Sequence, residues 1–336
     1  MSELEQAVDA LFDRPPTGGV SLALVAMVDG EVVAERYGTQ PANDFQAEQP
    51  IAADSTLISW SMAKSLAHAA VGLLVGDGML DPDAPAPVPE WAGSPKATIR
   101  LIDLLEMRPG LHWVEDYEDA ATSTCMHMLF GDGQTDMAAY AAGLELESPP
   151  GTAWLYSSGT TNIVSRIVGD VVGGGPGGDP AARQAAMEGF LRDRLFAPAG
   201  MASAAPKFDG AGTFVGSSYV HATARDFARF GELYRNDGVA ADGTRVLPAG
   251  WTDHARTQIA TDPDSGFGYG RHWWTWPDYP GSLAAHGYEG QFTLVVPDRD
   301  LTLVHLGKTP AVERPGLVAL LRDVVEAVPA VAADGS

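Results

Sequence analysis

The sequence predicts an α+β fold: an antiparallel sheet assembled from both ends of the chain, flanked by N- and C-terminal helices, with a helical subdomain inserted between them. Three observations lead there. Two β-rich runs, 20–28 and 31–37, are joined through Asp29-Gly30, a pair whose tolerance of positive φ marks a two-residue hairpin. The middle of the chain carries apolar residues at three- and four-residue spacings, the period of helices packed on one face. Strand character then returns at 268–276, 291–296 and 301–306. Residues 1–58 and 260–336 are assigned to the α/β part and 59–259 to the mainly helical part of a single unit.

Taken in order, residues 3–13 form a short amphipathic helix ahead of the hairpin. From 61 to about 76, Leu66, Ala70, Val71 and Leu74 line one side of a helix. Further helical stretches fall at 98–107, 135–142, 160–172, 181–196, 223–236 and 248–258. The glycine-rich patch 173–178 satisfies the letter of G-x-G-x-x-G, but it follows a helix and holds Pro176, so it reads as a surface loop. His286-Gly287-Tyr288-Glu289-Gly290-Gln291 opens a strand that ends at Val296. Pro297-Asp298-Arg299-Asp300 turns into the last strand, and a helix over 312–328 closes the chain.

Composition narrows the function. With 336 residues and 45% hydrophobic content the chain can bury a full core. Its net charge of −23 opposes nucleic acid and anionic lipid, both of which need a basic footprint. The N-terminus lacks the basic and apolar regions of a secretory leader, and the longest apolar run, 65–80, is interrupted by His68, Gly72, Gly76, Asp77 and Gly78. The protein is therefore expected to be soluble and cytoplasmic, with no nucleic-acid or membrane partner; its oligomeric state is not legible. The single cysteine, Cys125, excludes an internal disulfide and is expected to pack as a small apolar residue. Eight histidines show no paired ligand spacing, and neither H-E-x-x-H, G-x-S-x-G nor a Walker loop occurs, so no metal and no cofactor is expected.

The chemistry-bearing segment is Ser61-Met62-Ala63-Lys64, which runs directly into the apolar helix. Residues three apart lie one turn apart on the same helix face. As a mere cap, Ser61 would be followed by Glu or Gln at the third position, and a cation in the first turn is opposed by the helix dipole. The chain has only four lysines, Lys64, Lys96, Lys207 and Lys308, so this spacing is not a by-product of abundance. A neutral lysine amine beside a serine hydroxyl can take its proton and activate the nucleophile. Two further segments suit a cleft: Tyr156-Ser157-Ser158-Gly159, in a loop rich in proline and glycine before a helix, and His286-Gly287-Tyr288, where glycine permits close approach.

In this order and at these separations the three segments resemble the serine β-lactamase and penicillin-binding-protein superfamily, in particular the class C β-lactamase-related hydrolases, including esterases and 6-aminohexanoate-dimer hydrolases of that fold. The resemblance extends through Leu101-Ile102-Asp103-Leu104-Leu105-Glu106-Met107-Arg108-Pro109-Gly110-Leu111 and 294–300, and so over nearly the whole chain. It implies a β-lactamase/transpeptidase-like fold and a small ester or amide as substrate. It implies Ser61 as the acylated nucleophile, Lys64 as its base partner and Tyr156 as the tyrosine of the Y-x-N element, passing a proton to the leaving group. The backbone N–H groups of Ser61 and Tyr288 would form the oxyanion hole. Ser158 replaces the family's asparagine, and Ala285 or His286 replaces the basic residue of K-T-G. These departures count against β-lactam turnover, because the missing groups would hold the acyl amide and the ring carboxylate.

Ser158, His286, Gly287, Trp113, Tyr117 and Trp274 are the candidate substrate contacts. Against that role stands packing for Trp113, Tyr117, Trp273, Trp274 and Trp276, and solvated charge for Glu115, Asp116, Glu118 and Asp119. Glu115, Asp116 and Asp119 could alternatively receive a substrate amine. His68 and His305 read as packed residues. The alternatives to a serine esterase or amidase are a non-catalytic sensor or binding protein of the penicillin-recognising fold, and a true β-lactamase.

Overall fold

The computed structural model describes residues 1–44 and 47–331. The expected hairpin is present: β1 (Val20–Val28) and β2 (Glu31–Tyr37) pair antiparallel, with Asp29 at φ 48° and Gly30 at φ 79° turning the chain. Six more strands come from the other chain end: β3 (Ala260–Thr261), β4 (Gly268–Tyr269), β5 (Trp274–Thr275), β6 (Leu283–Gly287), β7 (Gln291–Val296) and β8 (Leu301–Lys308). Together they form one antiparallel sheet in the order β2-β1-β8-β7-β6-β5-β4-β3. β1, β7 and β8 are buried along nearly their whole length, so both sheet faces are covered.

One face packs on the terminal helices. The first, α1 (Glu3–Phe12), is started by a reciprocal capping box between Ser2 and Glu5 and sends Val8 and Leu11 inward. The last, α5 (Arg314–Glu326), meets the same face with Leu317, Leu321 and Val324. The other face carries α2 (Ala63–Gly76) and α4 (Ala224–Arg235), reached by Leu66, Val71, Phe227 and Phe230. α2 is apolar nearly all round, which is why its residues from Ala63 to Leu74 are all buried. α3 (Ser158–Val172) packs beside α2, and a three-stranded sheet of Leu57–Ile58, Val220–Ala222 and Ala205–Pro206 ties the start of α2 to the residues before α4.

One expected strand is divided. The run 268–276 is two short strands separated by a turn in which Gly270 N donates to the carbonyl of Trp273 and His272 takes φ 58°. The strand expected over 291–296 is present as β7, and residues 286–290, which lead into it, belong to other elements. His286 and Gly287 end β6, and Tyr288–Gly290 make a tight turn with Glu289 at φ 59° and Gly290 at φ 84°. Gly287 and Tyr288 therefore sit at a strand end facing the helical layer. The helix Thr124–Phe130 has no counterpart in the sequence reading: it spans only seven residues, and its clearest signal is Ser123, which accepts from Met126 N.

Candidate active site

Ser61 lies in a single turn of 3₁₀ helix, Trp60–Met62, that feeds α2. The turn is strained. Trp60 takes φ 43°, a region costly for a bulky side chain, and is held there by Ser59, whose Oγ donates to the Trp60 carbonyl at 2.9 Å. One turn on, the fully buried Lys64 places Nζ 3.0 Å from each of three oxygens: Ser61 Oγ, Ser158 Oγ and the Ser217 carbonyl. Asn162 on α3 fixes the last of these by accepting from Ser217 N at 3.2 Å. Ser158 begins α3 and is buried, so it approaches Lys64 from beneath the cleft and does not line it.

The cleft above is a cavity of about 490 Å³ whose lining includes Ser61, Tyr156, Trp274, His286, Gly287 and Tyr288. Tyr156 packs on Trp274 and Tyr269 with ring centres 5.3 and 5.8 Å apart, and Lys64 Nζ lies 4.8 Å from its ring centre. Among the described residues the Tyr156 hydroxyl has no hydrogen-bond partner. Tyr288 is brought to Ser61 by Gly287: a Cβ there would stand 2.4 Å from the Ser59 carbonyl oxygen. Two other cavities, an apolar one of about 540 Å³ beside Trp91 and a wider polar one of about 1150 Å³ at the β1–β2 turn, hold no serine–lysine pair.

Several sequence expectations are corrected. Trp113 does not line the cleft; it packs against Gly159, where a Cβ would meet its ring at 2.5 Å, and donates its indole N–H to Glu115. Glu115 is not a solvated charge. Its carboxylate accepts from Trp113 Nε1 (2.5 Å), Tyr117 Oη (2.5 Å), Ser158 N (2.8 Å) and Ser158 Oγ (2.5 Å). Asp116 and Asp119 instead cap the turn that follows. The buried Cys125 thiol lies in the same electrostatic neighbourhood: burial first, and Glu115's charge second, push it up, with Lys64 opposing. Trp273 and Trp276 are buried, and Tyr117 and Trp274 do line the cleft. His68 and His305 are fully buried.

The largest omission is a cation. Arg314, the first residue of α5, lines the cleft with its guanidinium 5.4 Å from the Phe292 ring centre and Nη2 3.1 Å from His286 Nδ1. Among the described residues it pairs with no carboxylate. His286 itself is held well below the usual imidazole range by burial first and by Arg314 second, so it is neutral. Asp262 and Asp264, also unforeseen, line the same cleft. Among the described residues no group of three His, Cys, Asp or Glu is placed to hold a metal, and no helix is long and apolar enough to cross a membrane.

A serine and a buried lysine at the start of a helix, facing a tyrosine loop and the end of an antiparallel strand, is the arrangement the sequence motifs imply. The beta-lactamase family model matches residues 8–325. The chain belongs to the beta-lactamase family. The 6-aminohexanoate-dimer hydrolase of Paenarthrobacter ureafaciens is 28% identical over 305 residues, covering 86% of this chain and 72% of that protein. Among solved structures, a penicillin-binding-protein homologue from Caulobacter crescentus aligns with TM-score 0.70 at 17% identity, over 97% of this chain and 96% of that one. A family VIII carboxylesterase aligns with TM-score 0.70 at 16% identity, over 97% and 96% of the two chains. These two likenesses establish the β-lactamase/transpeptidase-like fold.

Proposed function

We propose that the protein is a serine hydrolase that cleaves a small ester or amide through an acyl-enzyme on Ser61. The observation that carries this is the 3.0 Å approach of the buried Lys64 Nζ to Ser61 Oγ at the floor of the cleft. As Ser61 Oγ bonds to the substrate carbonyl carbon, its proton passes to the Lys64 amine. The N–H groups of Ser61 and Tyr288 receive the oxyanion. The Tyr156 hydroxyl, free of hydrogen-bond partners among the described residues, gives its proton to the leaving group and regains one from Lys64. Water then attacks the ester on Ser61 by the reverse proton path.

Arg314 refines the substrate class. A guanidinium in the cleft that pairs with no carboxylate among the described residues favours a substrate that carries a carboxylate, and Asp262 and Asp264 favour one that also carries an amine. A linear amide with both ends charged, as in the substrate named for the Paenarthrobacter ureafaciens relative, meets both demands. Arg314 also favours a second reading, β-lactam hydrolysis, because it supplies a cation in place of the one that the departure from K-T-G removes.

Intact-mass measurement after exposure to a fluorophosphonate, then to esters, amides and β-lactams, tests the proposal. We expect one adduct on the wild-type chain and none on Ser61→Ala. Ser61→Ala, Lys64→Ala and the double variant should all lose hydrolysis to a similar extent, because the two side chains act as a unit. Retained hydrolysis in a normally folded Ser61→Ala would refute the assignment.

A further inference from the structure

Glu115 has no arginine or lysine partner among the described residues, yet four donors converge on it and one of them, Ser158 Oγ, also touches Lys64. We infer that Glu115 is a positioning residue: it fixes the direction of the Ser158 hydroxyl proton and thereby turns the electron pair of Lys64 toward Ser61. This rests on the proposed role of Ser61 as nucleophile.

The assignment follows from donor and acceptor capacity. A carboxylate only accepts, so the Ser158 hydroxyl, 2.5 Å from Glu115 Oε1, donates to it. The lone pairs of Ser158 Oγ are then what Lys64 meets at 3.0 Å. The Ser217 carbonyl, also at 3.0 Å, is an acceptor as well. A neutral amine has two N–H bonds and one electron pair. Its two N–H bonds go to Ser158 Oγ and the Ser217 carbonyl, and the pair is left for the Ser61 hydroxyl. When Ser61 gives up its proton, the resulting ammonium has three N–H bonds and the same three oxygens to receive them. No group need move. Without the carboxylate, Ser158 could rotate its proton onto Lys64 and occupy the pair that Ser61 needs.

Glu115→Gln reverses the polarity at nearly constant shape. Trp113 Nε1 and Ser158 N can only donate and both face Oε2, so the amide oxygen takes that place. The amide nitrogen then faces Ser158 Oγ, which must accept and turn its proton toward Lys64. We expect kcat on a neutral ester to fall about tenfold to a hundredfold, no more than the low end of what an acid–base group contributes, with KM changed less than twofold. The decisive readout is the sign of Ser158→Ala in the two backgrounds. In the wild type it should lower kcat, since Lys64 loses an acceptor; in Glu115→Gln it should raise kcat, since the misdirected hydroxyl is gone. Glu115→Asp, which keeps the carboxylate and loses the shape, should retain more kcat than Glu115→Gln.

Equal losses from Ser158→Ala in both backgrounds, a Glu115→Gln enzyme with normal kcat, or one that fails to fold while Glu115→Asp is no better than it, would each overturn the inference. Fluorophosphonate labelling of the wild type reports separately on Ser61. An unlabelled Ser61 refutes the proposed function, whereas labelling with additive variants refutes only the role of Glu115.

Discussion

Trp276 donates its indole N–H to Nε2 of His286 across 2.9 Å, and this bond decides what the imidazole offers the cleft. An indole can only donate, so Nε2 accepts and the proton of the neutral ring sits on Nδ1. Arg314 Nη2, 3.1 Å away, is a donor as well. Two donors thus stand side by side at the cleft wall, an arrangement satisfied when a single acceptor such as a carboxylate oxygen bonds to both.

The first expectation concerns substrate charge. Arg314→Met should raise KM for a carboxylate-ended amide by about tenfold to a hundredfold, the equivalent of one charge-assisted hydrogen bond of about 1.5–3 kcal/mol. KM for a neutral p-nitrophenyl ester should change less than twofold. Steady-state kinetics on both substrates checks this; equal effects on the two would rule out a carboxylate contact.

Gly287 is where the strand end and the nucleophile turn touch. A Cβ there would fall 2.4 Å from the Ser59 carbonyl and 2.8 Å from Gln291 Cβ, neither of which is the far end of a flexible chain. Gly287→Ala should cost about 1–3 kcal/mol of stability through overpacking. It should also depress kcat, because the displaced strand end leads directly into Tyr288. Denaturant unfolding alongside kinetics checks the pair of effects, and an unperturbed variant would mean that the close approach is not needed.

Stability should fall on mild acidification. Burial first of all holds His254 and His272 down to about 3, and His305 to about 4, against an ordinary value of 6.5. The folded state therefore binds fewer protons than the unfolded one whenever the pH lies between these values and 6.5. The stabilisation is full above pH 6.5 and is lost as pH falls toward 4 and then 3, each histidine contributing a slope of up to about 1.4 kcal/mol per pH unit. Urea midpoints should be flat from pH 8 to 7 and decline between 6.5 and 5, above the range where most carboxylates titrate. A midpoint that holds steady to pH 5 would show that these imidazoles open or find solvent.

The parts of this site legible in the sequence are the local ones. Asp29-Gly30 specifies its turn through backbone preference alone, and Ser61 and Lys64 are joined by one helical turn. Ser158 meets Glu115 across 43 positions and Arg314 meets His286 across 28, contacts that only the folded chain creates. Signals for both were nevertheless present. Trp113, Glu115 and Tyr117 alternate, so that a carboxylate is flanked by two donors on one side of an extended segment. Arg314, like Lys64, is a cation in the first turn of a helix, opposed by the dipole and so in need of another reason to be there. The break in 268–276 and the left-handed Trp60 had no such signal: aromatic residues suit a strand, and tertiary contacts override that preference.

Tyr156→Phe removes a hydroxyl and little else. The ring keeps its packing on Trp274 and Tyr269 and its place under Lys64, and the hydroxyl gives up no protein hydrogen bond among the described residues. Thermal stability should therefore stay within about 0.5 kcal/mol of wild type. Turnover of an amide should fall roughly 10²- to 10⁴-fold, because an amine cannot depart without a proton and Tyr156 is placed to supply it. A p-nitrophenyl ester expels an anion stable enough to leave unprotonated, so its acylation should fall much less. The ratio of the two losses, taken from kcat/KM on both substrates in one buffer, isolates proton donation from any change in cleft shape. Equal losses would assign Tyr156 to positioning, and an undiminished amide rate would remove it from the proton path.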